Sequence, residues 1–197
     1  MSSSSNNNLF QTFWSPAFRS ITENNINEFI RLTKKDNYEH VNMQRNDGST
    51  LLHIACNSAK DEFIFHLLRN GAKANILNFK GESPMYHLID TFINSHPRGV
   101  NRKIELLRNY AKRVRKSLYY FIQYTTKEDL RNIIKFTSYY QSQKTIYQIL
   151  EDFRNTANIT PEGNKEIDTW LRILYPFVSL NSNSDNNNNN NNGGSGS

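Results

Sequence analysis

Gly48 to Asn75 reads GSTLLHIACNSAKDEFIFHLLRNGAKAN, and at Gly81 a second, degraded form of its opening follows, GESPMYHLI. Laying Gly81, Ser83 and Pro84 over Gly48, Thr50 and Leu51 gives a shift of 33 residues, the step that also separates Asn42 from Asn75. A fixed period of that length marks stacked helical units, each too small to bury its apolar face alone. Within one unit, Leu52, Ile54 and Ala55 fall on one face of a short helix opened by Thr50, whose hydroxyl can accept a backbone N–H. Phe63, Ile64, Leu67 and Leu68 recur at helical spacing and give a second helix its apolar stripe. Gly71 stops that helix where a left-handed residue is needed. Ala55 and Cys56 are small, which lets the two helices approach closely.

Across residues 45 to 77 these features resemble an ankyrin repeat: Gly48, the hydroxyl residue Thr50, Leu52-His53, the small pair Ala55-Cys56, then Leu67-Leu68-x-x-Gly71-Ala72 and Asn75. The resemblance implies an all-α helical solenoid of about three repeats with degenerate outer ones. It also places His53 where the family has a histidine that bonds the Thr50 hydroxyl, a structural role ahead of a catalytic or metal-binding one. Pro84 stands at the first helical position of the second copy, where its missing N–H costs nothing. Leu51 holds that place in the first copy, a departure that gives up some preorganisation.

The chain of 197 residues carries a formal charge of +6, and the excess is concentrated. Between Arg98 and Lys116 lie Arg98, Arg102, Lys103, Arg108, Lys112, Arg113, Arg115 and Lys116 against the single acid Glu105, and the remainder is close to neutral. The one cysteine, Cys56, excludes an internal disulfide and falls at a position the repeat fills with a small buried residue. MSSSSNNN lacks the basic start and apolar core of a signal peptide, and no run of about 18 apolar residues is present. The expectation is a cytoplasmic or nuclear protein, monomeric.

Taken in order, residues 1–8 form a Ser/Asn-rich tail with too few apolar groups to offset ordering entropy. Residues 9–116 form the repeat region. Its first unit is worn: Pro16-Ala17-Phe18 resembles the family's Thr-Pro-Leu opening and Phe29-Ile30-Arg31-Leu32 its second helix, with one residue inserted near Lys34 to keep Asn42 in register. Pro84 to Ile93 makes the inner helix of a third unit, and Ser95-His96-Pro97-Arg98-Gly99 reads as a loop. Leu106 to Lys112 then repeats Leu67 to Lys73 almost letter for letter at a shift of 39, with Tyr110 in place of Gly71. That helix has lost its stop and can continue toward Tyr124. Ile104, Leu107, Ala111, Val114, Leu118 and Phe121 give it an apolar seam spaced alternately by three and four.

Residues 117–178 are a helical extension packed on the last repeat. Leu130, Ile133 and Ile134 mark one helix, Ile146, Ile149, Leu150 and Phe153 the next, and Pro161 opens a last one with Ile167, Trp170, Leu171 and Leu174 that Pro176 is expected to end. TTKEDLRNII and WLRIL in this region are similar to short stretches of the helical N-terminal module of Ras-type exchange factors. Residues 179–197, with seven consecutive Asn, are a polar tail or linker.

Catalytic chemistry is not indicated. No Gly-rich phosphate loop, HExxH or nucleophile elbow is present, and the five histidines lack metal-ligand spacing with Cys or carboxylate. The reading is therefore a non-enzyme without cofactor or metal whose partner is another protein. Ankyrin proteins bind at loop tips and the inner-helix side, and the resemblance transfers that surface to Gln44, Arg45, Asn46, Asp47 and Ser49, to Leu77, Asn78, Phe79, Lys80 and Glu82, and to Asn57, Ser58, Asp90 and Thr91 at the helix ends. Phe79 is the preferred anchor, with folding back onto Ile76 as the alternative fate of its ring. Two further readings stay open. Arg102, Lys103, Arg108, Lys112, Arg113, Arg115 and Lys116 could hold the phosphates of nucleic acid or of an acidic membrane, or could be a solvated helix face. The chain could also be a regulatory N-terminal segment of a larger signalling protein.

Overall fold

Residues 10–95, 104–135, 144–156 and 161–178 are described by a computed structural model. Among them every regular element is helical, with no strand. A π-helical turn, Phe10–Trp14, leads into α1 (Ser15–Thr22), α2 (Ile26–Lys35), α3 (Leu51–Asn57), α4 (Asp61–Arg69), α5 (Pro84–Ser95), α6 (Ile104–Tyr124), α7 (Lys127–Lys135), α8 (Ile146–Thr156) and α9 (Pro161–Val178). Local chemistry sets many of the ends. Asn25 Oδ1 accepts the Glu28 N–H at 3.0 Å to start α2, and Thr126 Oγ1 accepts the Asp129 N–H at 3.1 Å to start α7. Before α8, Thr145 Oγ1 and the Gln148 side chain accept each other's backbone N–H groups at 3.1 and 2.8 Å.

Helices α1–α2, α3–α4 and α5 follow one another as units whose equivalent residues meet. The Phe29 and Phe63 rings lie 5.2 Å apart, Thr33 Oγ1 is 3.0 Å from His66 Nε2, the His53 and His87 rings lie 5.5 Å apart, and Thr91 Oγ1 donates to Asn57 Oδ1 at 3.1 Å. Each pair is separated by 33 or 34 residues. The α4 terminus closes as expected: Gly71 has φ +89°, and Ala72 N–H reaches back to the Leu67 carbonyl at 2.9 Å. Asn37, φ +50°, does the same after α2, where Tyr38 N–H reaches the Thr33 carbonyl at 3.0 Å. Tyr38 itself is left-handed too, so the extra residue of the first unit falls just past the helix.

Helix α6 departs from the sequence reading. The letter match of 106–112 to 67–73 places residues 39 apart side by side. In the structure Lys116 Nζ pairs with Asp61 at 3.4 Å, and the Phe65 ring lies 5.0 Å from Tyr120 and 5.9 Å from Tyr124. Lys116–Asp61 and Tyr120–Phe65 are each 55 apart, so α6 runs parallel to α4 but displaced by 16 residues, about 24 Å along its axis at ~1.5 Å per residue. Without a glycine at position 110 the helix does not stop, and its second half is the part with apolar residues to bury. Val114, Leu118 and Phe121 are fully buried there.

Phe92 of α5 joins the units to the C-terminal helices. Its ring meets Trp170 of α9 edge-on at 4.5 Å, Phe153 of α8 at 6.2 Å and Tyr110 of α6 at 6.0 Å. Asn42 clamps the loop after α4, accepting Lys73 N–H at 2.7 Å and donating to the Gly71 carbonyl at 2.9 Å. Asn75, one period on, donates instead to Asp129 of α7 at 2.6 Å. The buried apolar residues from Phe13 to Leu174 form one cluster. Pro176 does not end α9, which runs on to Val178. Proline there forfeits one bond to the Arg172 carbonyl, and because both residues are exposed, water can satisfy it. Residues 96–99 of the expected loop lie outside the described residues, as do both polar tails.

Candidate functional site

Two loop tips, 44–49 and 77–82, project from the units and are built alike. In the first, Arg45 N–H donates to the Ser49 carbonyl and Gly48 N–H to the Arg45 carbonyl, both at 2.8 Å. In the second, Asn78 N–H donates to the Glu82 carbonyl at 3.0 Å and Gly81 N–H to the Asn78 carbonyl at 2.9 Å. The tips are bonded edge to edge. Phe79 N–H donates to the Asp47 carbonyl at 2.9 Å, and the Gln44 amide donates to the Gly48 and Leu77 carbonyls at 2.8 and 3.3 Å.

Beneath the second tip lies a buried polar frame. Asn78 Oδ1 accepts the Lys80 and Glu82 N–H groups, each at 2.9 Å, while its amide donates to the Glu82 carboxylate at 2.8 Å. His87 Nε2 lies 3.2 Å from that carboxylate. His53 Nδ1 accepts the Thr50 N–H at 3.0 Å and sits 2.9 Å from the Thr50 hydroxyl, which fixes its proton on Nε2 for donation to the Glu82 carbonyl at 3.1 Å. Burial holds the His53 ring neutral, with its pKa brought down from 6.5 to about 4 despite the Glu82 bond. Burial also lowers His87, outweighing its carboxylate neighbour.

This frame fixes what faces outward. Asn78 is buried, Leu77 is 41% exposed and Phe79 72% exposed. The Phe79 ring lies against the bare backbone of Gly48, where an added Cβ would stand 2.6 Å from Phe79 Cδ1 and 2.7 Å from its backbone nitrogen. Around it stand exposed Gln44, Arg45, Asn46, Asp47 and Lys80. At Asp47 burial works upward, but the Ser49 N–H and Arg45 prevail and hold the carboxyl below its ordinary range.

Not every residue expected at this surface is presented. Ser49, Asn78 and Glu82 are buried; Asn78 and Glu82 belong to the frame, and Ser49 bonds Arg45 and Asp47 within the first tip. Asn57 is exposed, Ser58, Asp90 and Thr91 are half-buried, and Thr91 is bonded to Asn57 while Asp90 lies 3.5 Å from the Tyr86 hydroxyl. The seat at Gly48 escaped the sequence reading, which noted the glycine only as a repeat marker. An aromatic at residue 79, one tip further on, was the available signal.

On the basic helix, Arg98, Arg102 and Lys103 lie outside the described residues. Arg115 is bound by Glu166 of α9 at 3.0 and 3.2 Å, Lys116 by Asp61 of α4, and the Arg113 guanidinium lies over the Tyr110 ring at 5.5 Å. Arg108 and Lys112 remain exposed. The acids that engage this helix come from positions 50 or more residues away, so the local charge run concealed them.

Other places offer less. Cys56 is completely buried, and burial pushes its thiol well above the ordinary value. An open groove of about 400 Å³ between α8 and α9 is crossed by the Arg154–Asp168 ion pair and narrowed by Tyr147 and Tyr175, whose rings lie 6.4 Å apart. Among the described residues no cluster of His, Cys, Asp or Glu could hold a metal ion, and no helix is long and apolar enough to cross a membrane. No protein-family model matches the chain.

Proposed function

We propose that this chain is an ankyrin-type repeat stack acting as a protein-interaction module, an adaptor or scaffold that binds a partner protein through its loop tips and the neighbouring inner-helix ends. Contacts at a spacing of 33 or 34 residues, the His53–Thr50 bond and the glycine termination at Gly71 support the repeat assignment. One observation carries the functional reading: Phe79 is largely exposed although its backbone is bonded into the adjoining tip. A large aromatic held in water on a rigid frame is an anchor awaiting a pocket, and such anchors are worth about 2 kcal/mol or more each. Because the tips are preformed, little ordering opposes binding. The polyanion reading is weakened by Glu166 and Asp61, which already engage two of the cations it needs.

The test is capture of a partner from a native extract at low and moderate salt, with a nuclease-treated parallel and with wild type beside Phe79→Ala/Arg45→Ala. Loss of a defined protein with the double variant supports the tip surface. Retention moves the interface elsewhere, and recovery only of nucleic acid or acidic lipid at low salt restores the basic helix.

A further inference from the structure

Four large apolar side chains are exposed among the described residues, Leu77, Phe79, Tyr119 and Tyr175, and the first two share one tip. Their charged surroundings differ. Tyr119 follows Lys116 on α6, whose charge Asp61 already answers, and Tyr175 borders the groove crossed by Arg154–Asp168. At the tip the balance is left open. Among the described residues no carboxylate pairs with Lys80, and Arg45 meets only Asp47, at 3.7 Å. Asp47 Oδ1 is already accepting the Ser49 N–H at 2.9 Å. The remaining acid of the two tips, Glu82, is buried and bonded to Asn78 and His87. The tip therefore presents an apolar pair flanked by Lys80, which no described carboxylate answers, and by Arg45, whose one acidic partner, Asp47, also holds the Ser49 N–H.

Resting on the tip-binding reading above, we infer that the partner segment is acidic: a large apolar side chain set against Phe79 and Leu77, with Asp or Glu on either side facing Lys80 and Arg45. The apolar centre supplies most of the affinity. The cations at the rim speed association and reject partners with basic flanks. A basic segment would place like charges beside Arg45 and Lys80 with only Asp47 to offset them.

Selection from a display library of short randomised peptides against the whole chain tests this, run in parallel on Phe79→Ser and on Arg45→Glu/Lys80→Glu, each first checked for native helical circular dichroism. The expected outcome is enrichment of peptides with an apolar core between Asp and Glu, a loss of affinity of about tenfold or more with Phe79→Ser, and a switch to Lys- and Arg-flanked cores with the charge reversal. Peptides that need Phe79 but carry no acidic flanks would overturn the charge inference and leave the tip-binding reading standing. Enriched peptides held equally by Phe79→Ser, or no enrichment at all, would overturn both.

Discussion

Gly48 has little latitude, since it combines φ +81° with a seat only a hydrogen can occupy beneath Phe79. Gly48→Ala should destabilise by ~1–3 kcal/mol, more than Gly71→Ala, where φ is also positive but nothing lies within 4 Å of the new methyl. Equal costs in urea denaturation would contradict the close seat. His53 makes a second prediction. Its folded pKa of about 4 lies below the ordinary 6.5, so between those values the unfolded chain binds a proton that the folded one refuses. Its stabilising contribution is complete above about pH 6.5 and is lost as pH falls toward 4, amounting to roughly 3 kcal/mol at most. His87 and His66, also lowered, act in the same direction. Imidazole nitrogen shifts should show one neutral Nε2–H tautomer for His53 at pH 6; a charged ring there would remove the argument. The Thr50–His53 pairing was legible because three-residue spacing at a helix start is local. The bond from His53 to the Glu82 carbonyl was not, since it spans two units.

Helix α6 shows how far a local pattern carries. Its continuity was readable from Tyr110 standing where a glycine would stop it, and its buried face from Ala111, Val114, Leu118 and Phe121. Its position was not. A run of matching letters fixes which residues form a helix but not where the helix slides along its neighbour, which depends on partners such as Asp61 and Phe65 meeting Lys116 and Tyr120. Tyr110→Gly should cost about 1 kcal/mol more than Tyr110→Ala, because both lose the ring and only glycine penalises the helix interior. Equal costs in urea denaturation would mean the helix breaks there. Phe92 and Trp170, both buried and 4.5 Å apart, hold α5 against α9. Either replaced by alanine should lose ~3–5 kcal/mol, and the double variant should lose less than the sum because the two share one contact. Strict additivity would count against that junction.

At the scale of the whole molecule, α6 to α9 give the units a surface to pack on that they could not supply for themselves, since a repeat buries its apolar face only against neighbours. The all-α class and the positions of most helices followed from period and capping. Which cations stay free did not, because Glu166 and Asp61 are remote in sequence from the basic run. Nor did the division of the tip residues into an exposed set around Phe79 and a buried set of Ser49, Asn78 and Glu82. What is left facing water defines the central claim, that a partner seats on the tips. Photo-crosslinking tests it most directly, with a photoreactive phenylalanine analogue placed at Phe79 and, in a second sample, at the also exposed Tyr119 of α6 in the whole chain, irradiated in a native extract. A discrete protein adduct from position 79 and none from 119 is the predicted result; adducts from 119 alone would place the interface on the basic helix and contradict the account.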